Sequence, residues 1–322
     1  MSNKPVVFCI DALPAAMKEL IAAEVPEDYE LVFAETQDEG ERLAKAREVD
    51  YILCSWTPVS GQVIEAGPRV KLIQKYGIGV DKIDLEAAKR RGIPVAISAG
   101  VNAAAVAETA IALMLALYKR LCVADRSLRE GKWLKWELRT GCYEVAGKTV
   151  GIIGGGSIGR AVARRLSGFE CRVLYYDLFR LPQETEKAFG MTYTAMDELL
   201  RQSDIVSLHL PLTPETRGLI GTRELELMKP SAVLINTARG GVVDEPALIE
   251  ALRSGLIAGA GLDVFAKEPP EADNPLLQMD NAVLTPHNGG GTVDTVRKVI
   301  RHSFENIIRI ERGEPLPQAD LV

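Results

Sequence analysis

The chain has 322 residues, of which 47% are hydrophobic and 25% are charged, and both fractions are ordinary for a globular protein. At this length two domains are expected more often than one hydrophobic core. The formal net charge of -6 argues against a nucleic-acid-binding surface, which would require a clustered excess of Lys and Arg.

The cysteines and the N-terminus indicate the cellular compartment. The segment MSNKPVVFCIDAL reaches Asp11 too early to contain the apolar core of a signal peptide. The apolar stretch over residues 110–118 is shorter than the roughly 20 residues that cross a bilayer. We therefore expect a cytoplasmic protein with no membrane partner and no metal site. The five cysteines form no C-x-x-C pair and are expected to be buried, inert thiols: Cys9, Cys54, Cys122, Cys142 and Cys171.

Short β-branched runs alternate with helical patterns through the first hundred residues, which predicts βα units on a mostly parallel sheet. One helix is expected over residues 84–91, where Asp84 is suited to cap its N-terminus. Together these elements would form a small, doubly wound unit. The five predicted strands cover residues 6–10, 29–34, 51–55, 71–76 and 94–98.

A long helix is predicted to start after Asn102, a favourable N-cap, and to end near Arg120, as a hinge between the two halves. Residues 124–146 fit neither helical nor strand periodicity and are expected to form an extended arm that carries Trp133 and Trp136. A second βα series follows. Its predicted strands cover residues 148–154, 172–177, 204–210, 231–237, 257–265 and 282–287, and a last helix over 293–312 has an apolar face that requires a partner.

The first predicted strand of the second series leads into a glycine-rich loop. Gly154, Gly156 and Gly159 have G-x-G-x-x-G spacing between this strand and a predicted helix. In such a loop the first glycine permits a tight turn, the second lets the backbone approach a pyrophosphate, and the third lets the helix pack against the strand. Because the chain has 28 glycines, the spacing alone is weak, but its context favours a dinucleotide site over a simple turn.

Asp177 stands at the end of the next predicted strand, 18 residues beyond Gly159. A carboxylate at this place accepts hydrogen bonds from the adenosine ribose and repels a 2′-phosphate, so NAD is predicted rather than NADP. Arg180, three residues further on, could partly accommodate the 2′-phosphate of NADP and leaves the strictness of this preference open.

Three later stretches, NTARGG, GLDVFAKEPP and TPHNGG, follow predicted strands into loops at the edge where open α/β sheets bind ligands. They carry Arg239, Glu268 and His287. Arg239 offers a cation for a substrate carboxylate, His287 an acid–base imidazole, and Glu268 a carboxylate that would orient the imidazole and stabilise its protonated form. Each residue alone has an ordinary structural explanation, and a lone His is more often structural than catalytic. Their occurrence together favours a catalytic set.

With these residues in place, the chain resembles the D-isomer-specific 2-hydroxyacid dehydrogenase family along nearly its whole length. The motifs that carry the resemblance are KYGIGVDKIDL, VNAAAVAETAIALMLAL, GKTVGIIGGGSIGR, HLPLTPETRGLI, MKPSAVLINTARGGVVDEPAL, AGLDVFAKEPP and LTPHNGGGT. The resemblance implies an NAD-dependent oxidoreductase that interconverts a D-2-hydroxy acid and its 2-keto acid. His287 would then exchange the proton, Glu268 would pair with it, and Arg239 would bind the substrate.

The resemblance also assigns residues to the two ligands. The backbone amides of Ile78 and Gly79 would bind the substrate carboxylate, and Trp56 would face the substrate pocket. Asn288 stands where relatives commonly have an apolar residue, so its role is left open. The cofactor contacts implied in addition to the glycine loop and Asp177 are Ser157 and Ile158 at the pyrophosphate, Leu210, Pro211 and Thr216 near the adenosine, and Thr237, Ala238, Asp263 and Gly290 near the nicotinamide.

The family architecture implies two doubly wound parallel-sheet domains, with a Rossmann NAD-binding domain inserted into a flavodoxin-like substrate domain. The substrate domain would comprise residues 1–100 and 292–322, and the NAD-binding domain residues 101–291. A homodimer through the cofactor domain is also implied, with a contribution from the arm near Trp133 and Trp136. Packing of both Trp side chains in the core or in the arm is the simpler interpretation and is slightly favoured.

Three alternatives remain open at this point. Lys75 could bind a phosphorylated substrate, although QKYGIGVD lacks the Arg that phosphoglycerate dehydrogenases present for the phosphate. Phosphite oxidation is compatible with a similar triad, whereas Glu268 argues against formate oxidation, which uses Gln there. A third alternative is that the chain does not turn over a substrate, either as an NAD-sensing scaffold that resembles the family's transcriptional corepressors or as a dehydrogenase fold that has lost its activity.

Overall fold

The structure is a computed structural model that describes residues 4–322. The chain divides into two compact units, of which the first combines the residues up to Asn102 with Gly291–Val322 and the second is Ala103–Gly290. In each unit, helices and parallel strands alternate along the chain. The predicted fold class, two parallel-sheet α/β domains, is confirmed.

The first unit contains β1 (Val6–Ala12), α1 (Ala15–Ala22), β2 (Glu30–Ala34), α2 (Glu39–Ala46), β3 (Tyr51–Cys54), α3 (Gly61–Ala66), β4 (Leu72–Lys75), α4 (Leu85–Arg90) and β5 (Val95–Ala96). Over residues 4–102 the strands form one parallel sheet in the order β2-β1-β3-β4-β5, which is the flavodoxin-like order. As predicted, Asp84 caps α4, because its carboxylate accepts a hydrogen bond from the Ala87 N–H at 2.9 Å.

The second unit contains α5 (Ala103–Tyr118), α6 (Leu121–Arg129), β6 (Thr149–Ile153), α7 (Ser157–Leu166), β7 (Arg172–Tyr176), α8 (Gln183–Phe189), β8 (Met191–Tyr193), α9 (Met196–Gln202), β9 (Ile205–Leu208), α10 (Thr222–Leu227), β10 (Val233–Asn236), α11 (Glu245–Ser254), β11 (Gly259–Leu262) and β12 (Ala282–Leu284). Within residues 103–290 the strands form one parallel sheet in the order β12-β11-β10-β9-β6-β7-β8. The order reverses at β6, between β7 and β9, so the ligand crevice is expected at the carboxyl ends of these strands.

One prediction for the second unit is wrong, and one of its strands was not predicted. The segment expected to be an extended arm begins inside α6, because Arg120 adopts a left-handed conformation with φ of 49° that ends α5 and lets a new helix start at Leu121. The short strand β8 was not predicted, since three residues are too few to show a strand periodicity.

The apolar face of the last helix, α12 (Val293–Glu311), packs within the first unit, as its pattern required. Val296, Ile300 and Phe304 join Tyr51 and Leu72 in one buried cluster. The residues after α12 reach the sheet of the first unit, because Leu321 pairs with Ala96 of β5 in an antiparallel bridge. Residues 291–322 therefore complete the core of the first unit.

The cysteines are all free, but they are not all buried. Burial raises the pKa of Cys9 and of Cys54 to about 12, which makes these two thiols poor nucleophiles. Cys122 on α6 is exposed, so the prediction of buried thiols is wrong for it. Among residues 4–322, no helix is both long and apolar enough to cross a membrane, and no cluster of three potential metal ligands occurs.

Candidate active site

The loop between β6 and α7 is shaped by the three glycines of the G-x-G-x-x-G motif, and we call residues 154–159 the glycine loop. Gly154 has φ of 103°, and a Cβ placed on it would lie 2.2 Å from the carbonyl oxygen of His209. A Cβ on Gly159 would lie 2.0 Å from the carbonyl oxygen of Gly154. A Cβ on Gly156 would meet no described atom within 4 Å, so this position opens to a space that a ligand can approach.

The glycine loop presents hydrogen-bond donors at the start of α7. The first backbone N–H groups of a helix have no partner within it, and here they belong to Ser157, which is exposed, and Ile158. Asp177 lies beside the same loop, because its Oδ2 accepts a hydrogen bond from the Gly155 N–H at 2.7 Å. The carboxylate and the helix N-terminus are thus placed where an adenosine ribose and a pyrophosphate would be bound in a dinucleotide fold.

Two buried polar atoms of the second unit have no hydrogen-bond partner among residues 4–322, namely Thr237 Oγ1 and His209 Nδ1. The other ring nitrogen of His209 lies 2.8 Å from Ser207 Oγ, and burial lowers the pKa of this imidazole to about 3, so it is neutral. A buried polar atom without a partner is costly, and both residues stand at or next to the carboxyl ends of their strands. These atoms therefore fit a site that is completed by a polar ligand such as NAD.

The loop after β9 holds the remaining residues predicted to contact the adenosine. Thr216 Oγ1 donates a hydrogen bond to the carbonyl of Pro211 at 2.7 Å and accepts one from the Thr213 N–H at 2.7 Å. Its hydroxyl is therefore used to shape this loop. Leu210 is half-buried and packs against the core of the second unit.

Arg239 follows β10 and is positioned by the buried side chain of Asn236. The Asn236 Oδ1 accepts a hydrogen bond from the Ala238 N–H at 3.0 Å, and its Nδ2 donates one to the Arg239 carbonyl at 2.9 Å. The next residue must be glycine, because a Cβ on Gly240 would lie 1.9 Å from the backbone of Phe265. This close approach brings the Arg239 loop against the segment that carries Glu268.

Glu268 and His287 are joined by a hydrogen bond. The Glu268 Oε2 and the His287 Nδ1 are 2.7 Å apart, and the two side chains are 30% and 46% exposed. The other Glu268 oxygen accepts a hydrogen bond from the Phe265 N–H at 3.2 Å, which orients the carboxylate. The His287 Nε2 has no hydrogen-bond partner among residues 4–322 and is available to a ligand.

We call residues 285–290 the His287 turn, and its shape depends on the buried carboxylate of Asp263. The Asp263 Oδ1 accepts hydrogen bonds from Thr285 Oγ1 at 2.6 Å and from the Asn288 N–H at 2.9 Å, and Oδ2 accepts one from the Gly289 N–H at 2.8 Å. His287 adopts φ of 50°, an uncommon conformation for a residue with a Cβ. The turn thus holds a strained residue in place through three bonds to one side chain.

Comparison with known proteins agrees with this geometry. Residues 111–289 match the family model described as D-isomer specific 2-hydroxyacid dehydrogenase, NAD binding domain. A glyoxylate reductase from Korarchaeum cryptofilum is 41% identical over 98% of this chain and 95% of its own length. The chain belongs to the D-isomer-specific 2-hydroxyacid dehydrogenase family.

Two further relatives show the breadth of this dehydrogenase family. A D-3-phosphoglycerate dehydrogenase from Archaeoglobus fulgidus is 43% identical over 83% of this chain and 50% of its own length. The crystal structure of an NAD-dependent formate dehydrogenase from Staphylococcus aureus in complex with NAD superposes with a TM-score of 0.84, at 29% identity and 98% coverage of both chains. As a member of this family, the protein is an NAD-dependent oxidoreductase that acts on 2-hydroxy acids.

In the first unit of the dehydrogenase, a buried carboxylate organises the loop predicted to face the substrate. Asp11 accepts hydrogen bonds from the backbone N–H groups of Ser55 at 2.6 Å, Trp56 at 3.1 Å and Thr57 at 2.8 Å. The Trp56 side chain is left 44% exposed. Ile78 is also exposed, and Gly79 follows it in the loop after β4.

The residues that position the dehydrogenase site were not found from the sequence. Asn236 and Asp11 had no role in the sequence-based prediction, and the bonds of Asp263 to the His287 turn were not predicted. The contact of Asp263 with the nicotinamide stays a prediction. Each of the three is a polar residue in or next to a buried strand, which is a weak signal of function. Trp133 and Trp136 are 75% and 65% exposed, so the expectation is wrong as far as packing in the core is concerned. Trp136 does contact its own arm, where the Arg139 guanidinium carbon lies 4.4 Å from the centre of its ring.

Proposed function

We propose that the protein is a glyoxylate-type reductase, which uses NADH to reduce a small, unphosphorylated 2-keto acid to the D-2-hydroxy acid, with His287 as the proton donor. The observation that carries this proposal is the 2.7 Å hydrogen bond between Glu268 Oε2 and His287 Nδ1, which leaves Nε2 without a partner among the described residues. A carboxylate on one ring nitrogen fixes the orientation of the imidazole and stabilises its protonated form.

The path of the proton follows from this arrangement. In the protonated imidazole both nitrogens are donors, so Nδ1–H is held by Glu268 while Nε2–H donates to the carbonyl oxygen of the keto acid. NADH, when bound, would supply the hydride for C2 of the substrate. As the oxygen gains negative charge, Nε2 transfers its proton and the neutral imidazole remains bonded to Glu268. In the oxidation direction, Nε2 accepts the hydroxyl proton.

Arg239 would bind the substrate carboxylate. A guanidinium matches the geometry of a carboxylate and stays charged at any pH at which the enzyme works. Its backbone is fixed by Asn236 and by the contact between Gly240 and Phe265, so the cation is presented from a rigid loop. A role of the Ile78 and Gly79 amides in substrate binding stays a prediction from the family resemblance.

The preference for an unphosphorylated substrate is supported by Lys75. This side chain was the candidate for binding a phosphate, but Lys75 is only 8% exposed and its Nζ donates a hydrogen bond to the carbonyl of Ser55. A buried lysine that is committed to the backbone is a poor phosphate ligand, because a phosphate would have to displace that bond. The glyoxylate reductases among the relatives agree with a small keto acid.

A homodimer is also proposed, through α6 and the segment that follows it. Leu121, Leu128, Trp133 and Trp136 are each more than half exposed in the single chain. Large apolar side chains grouped on one segment are typical of a surface that another protein covers. Sedimentation analysis is expected to give twice the mass of the chain, and Trp133→Arg together with Leu128→Arg is expected to shift it to the mass of one chain.

The substrate class is tested by NADH oxidation against a panel of 2-keto acids: glyoxylate, hydroxypyruvate, pyruvate, phenylpyruvate, oxaloacetate, 2-ketoglutarate and 3-phosphohydroxypyruvate. We expect glyoxylate or hydroxypyruvate to have the highest kcat/KM. A preference for 3-phosphohydroxypyruvate would contradict the argument from Lys75. No turnover with any of them, with NADH binding intact, would contradict the proposed activity.

The acid–base pair is tested by Glu268→Gln, with Glu271→Gln as the matched control. Gln keeps the shape of the side chain but removes the charge that stabilises the protonated imidazole, so kcat is expected to fall by roughly 10²-fold. Glu271 is exposed and pairs with Lys267 on the surface, and its loss should leave kcat unchanged. Equal effects of both substitutions would show that Glu268 has no special role.

A further inference from the structure

Arg180 follows Asp177, the carboxylate expected at the adenosine ribose, by three residues, and its guanidinium is bound by an acid. Arg180 Nε donates to Glu186 Oε1 at 2.8 Å, and Nη2 donates to Glu186 Oε2 at 3.0 Å. Two parallel bonds of this kind fix the plane of the guanidinium as well as its position. Arg180 is therefore held towards α8.

Glu186 is itself held from a second side. Glu186 is only 6% exposed. Its Oε1 also accepts a hydrogen bond at 2.8 Å from the hydroxyl of Tyr175, a fully buried residue of β7. The same hydroxyl accepts a hydrogen bond from the Leu181 N–H at 2.9 Å. The bonds from Arg180 and then from Tyr175 keep the pKa of the Glu186 carboxyl below its usual range. The acid is therefore charged at neutral pH and rigidly placed.

The guanidinium also has an aromatic contact. The Arg180 guanidinium carbon lies 5.5 Å from the centre of the Tyr193 ring, on the strand that follows α8. Arg180 is thus fixed by an ion pair and a ring, although most of its side chain remains exposed. Moving it away would leave the charge of the mostly buried Glu186 without its cation, which is unfavourable.

The ribose position is marked by Asp177, three residues before Arg180. One oxygen of Asp177 is bonded to the Gly155 N–H of the glycine loop, so the carboxylate lies at the adenosine end of the cofactor site. The 2′-phosphate of NADP would bring about two negative charges to this place and would need a cation. Arg180 is the cation in the loop after β7, and Glu186 already binds it.

We infer that Glu186 is a positioning residue for cofactor choice: by holding Arg180 in a bidentate ion pair, it denies the 2′-phosphate of NADP its counter-charge. Two acids then select NAD in different ways. Asp177 repels the phosphate directly, whereas Glu186 withholds the arginine. The inference rests on the family's use of a dinucleotide and holds for any acid that the enzyme reduces.

The test is Glu186→Gln, with Glu184→Gln on the same helix as the matched control. Gln can keep the hydrogen bond to Tyr175 but has no charge to retain Arg180. The ratio of kcat/KM for NADPH to that for NADH is expected to rise by about tenfold, and further in combination with Asp177→Ser. Glu184 is exposed, and its substitution should leave the ratio unchanged.

Arg180→Leu decides whether the arginine carries the effect. In the Glu186→Gln background it should abolish the gain with NADPH, and alone it should change neither cofactor. A gain that survives Arg180→Leu would overturn the inference. The inference would also be overturned if Glu186→Gln, alone and combined with Asp177→Ser, left the ratio of kcat/KM for NADPH to that for NADH unchanged. This outcome counts for variants that keep the melting temperature of the wild type.

A binding measurement separates this inference from the proposed reaction. Isothermal titration of the full chain with 2′,5′-ADP and with 5′-AMP reports recognition of the 2′-phosphate without turnover. Glu186→Gln should tighten binding of 2′,5′-ADP by about tenfold and leave 5′-AMP unchanged. If no keto acid were reduced, only the proposed function would be contradicted. If Glu186→Gln changed the binding of 2′,5′-ADP and of 5′-AMP equally, only the role of Glu186 would be contradicted.

Discussion

The glycine loop and the His287 turn lie at the same edge of one parallel sheet, but they are shaped by opposite means. In the glycine loop, side chains are excluded, because a Cβ on Gly154 or Gly159 would collide with a backbone carbonyl. In the His287 turn, one buried side chain does the shaping, since Asp263 accepts three hydrogen bonds from it. The first arrangement suits close approach of a ligand, and the second suits precise placement of one reactive group.

The largest effect is expected at His287, since the proposed chemistry depends on its imidazole. His287→Ala should lower kcat by roughly 10²- to 10⁴-fold, the usual contribution of a general acid. The dissociation constant of NADH, measured by fluorescence titration, should change by less than about twofold, because the glycine loop is untouched. Equal losses in turnover and NADH affinity would show that the two regions are not separable.

In the glycine loop, Gly159→Ala and Gly156→Ala form a matched pair. The new Cβ at 159 would meet the Gly154 carbonyl, so the free energy of unfolding should fall by about 3 kcal/mol. At 156 the Cβ would enter open space, so stability should change by less than about 1 kcal/mol while NADH binding weakens about tenfold. Denaturant unfolding measures the free energy of unfolding of the two variants, and titration with NADH measures their affinity for the cofactor. Unchanged NADH binding in Gly156→Ala would remove the loop from the cofactor site.

A pH effect on stability is expected from His209, whose carbonyl borders the glycine loop. Its pKa is about 3 in the folded chain because of burial, against an ordinary value of 6.5. Above pH 6.5 the ring is neutral in both states and has no effect, whereas between these values only the unfolded chain binds the proton. Acidification from pH 7 to 5 should therefore lower the free energy of unfolding of the wild type by about 2 kcal/mol through this residue. The His209→Gln variant should not show this loss.

Urea unfolding of both proteins without NADH, at pH 7 and at pH 5, provides the measurement. The other two histidines are present in both the wild type and His209→Gln, so the difference between the proteins isolates His209. Parallel losses of stability in the two proteins would mean that the ring is protonated in the folded chain.

The smallest effect is expected when the support of the His287 turn is weakened rather than removed. Asp263→Asn places an amide N–H where an oxygen now accepts, so one of the three bonds to the turn is lost. We expect kcat to fall by about tenfold, with a smaller change in the KM for NADH. Asp273→Asn, at an exposed position later in the chain, is the control and should have no effect. A rise in the KM for NADH with unchanged kcat would instead place Asp263 on the nicotinamide.

Much of the fold was predictable because its signals are local. Strands that are buried on both faces appear as short β-branched runs, and Asp84 capped α4 as its residue type indicated. The errors occurred where local signals are weak. At α6 a single left-handed residue, Arg120, restarts a helix, and β8 is three residues long.

The sequence by itself determined the fold class, the dinucleotide motif and the chemical types of Arg239, Glu268 and His287, because these depend on periodicity, glycine spacing and residue identity. Only the tertiary structure decided that Glu268 and His287 are bonded, that Asp263 forms the turn, that Lys75 is buried and that Glu186 holds Arg180. The reason is physical: a hydrogen bond between residues that are distant along the chain leaves no periodic pattern, and it forms only when the sheet brings its partners together.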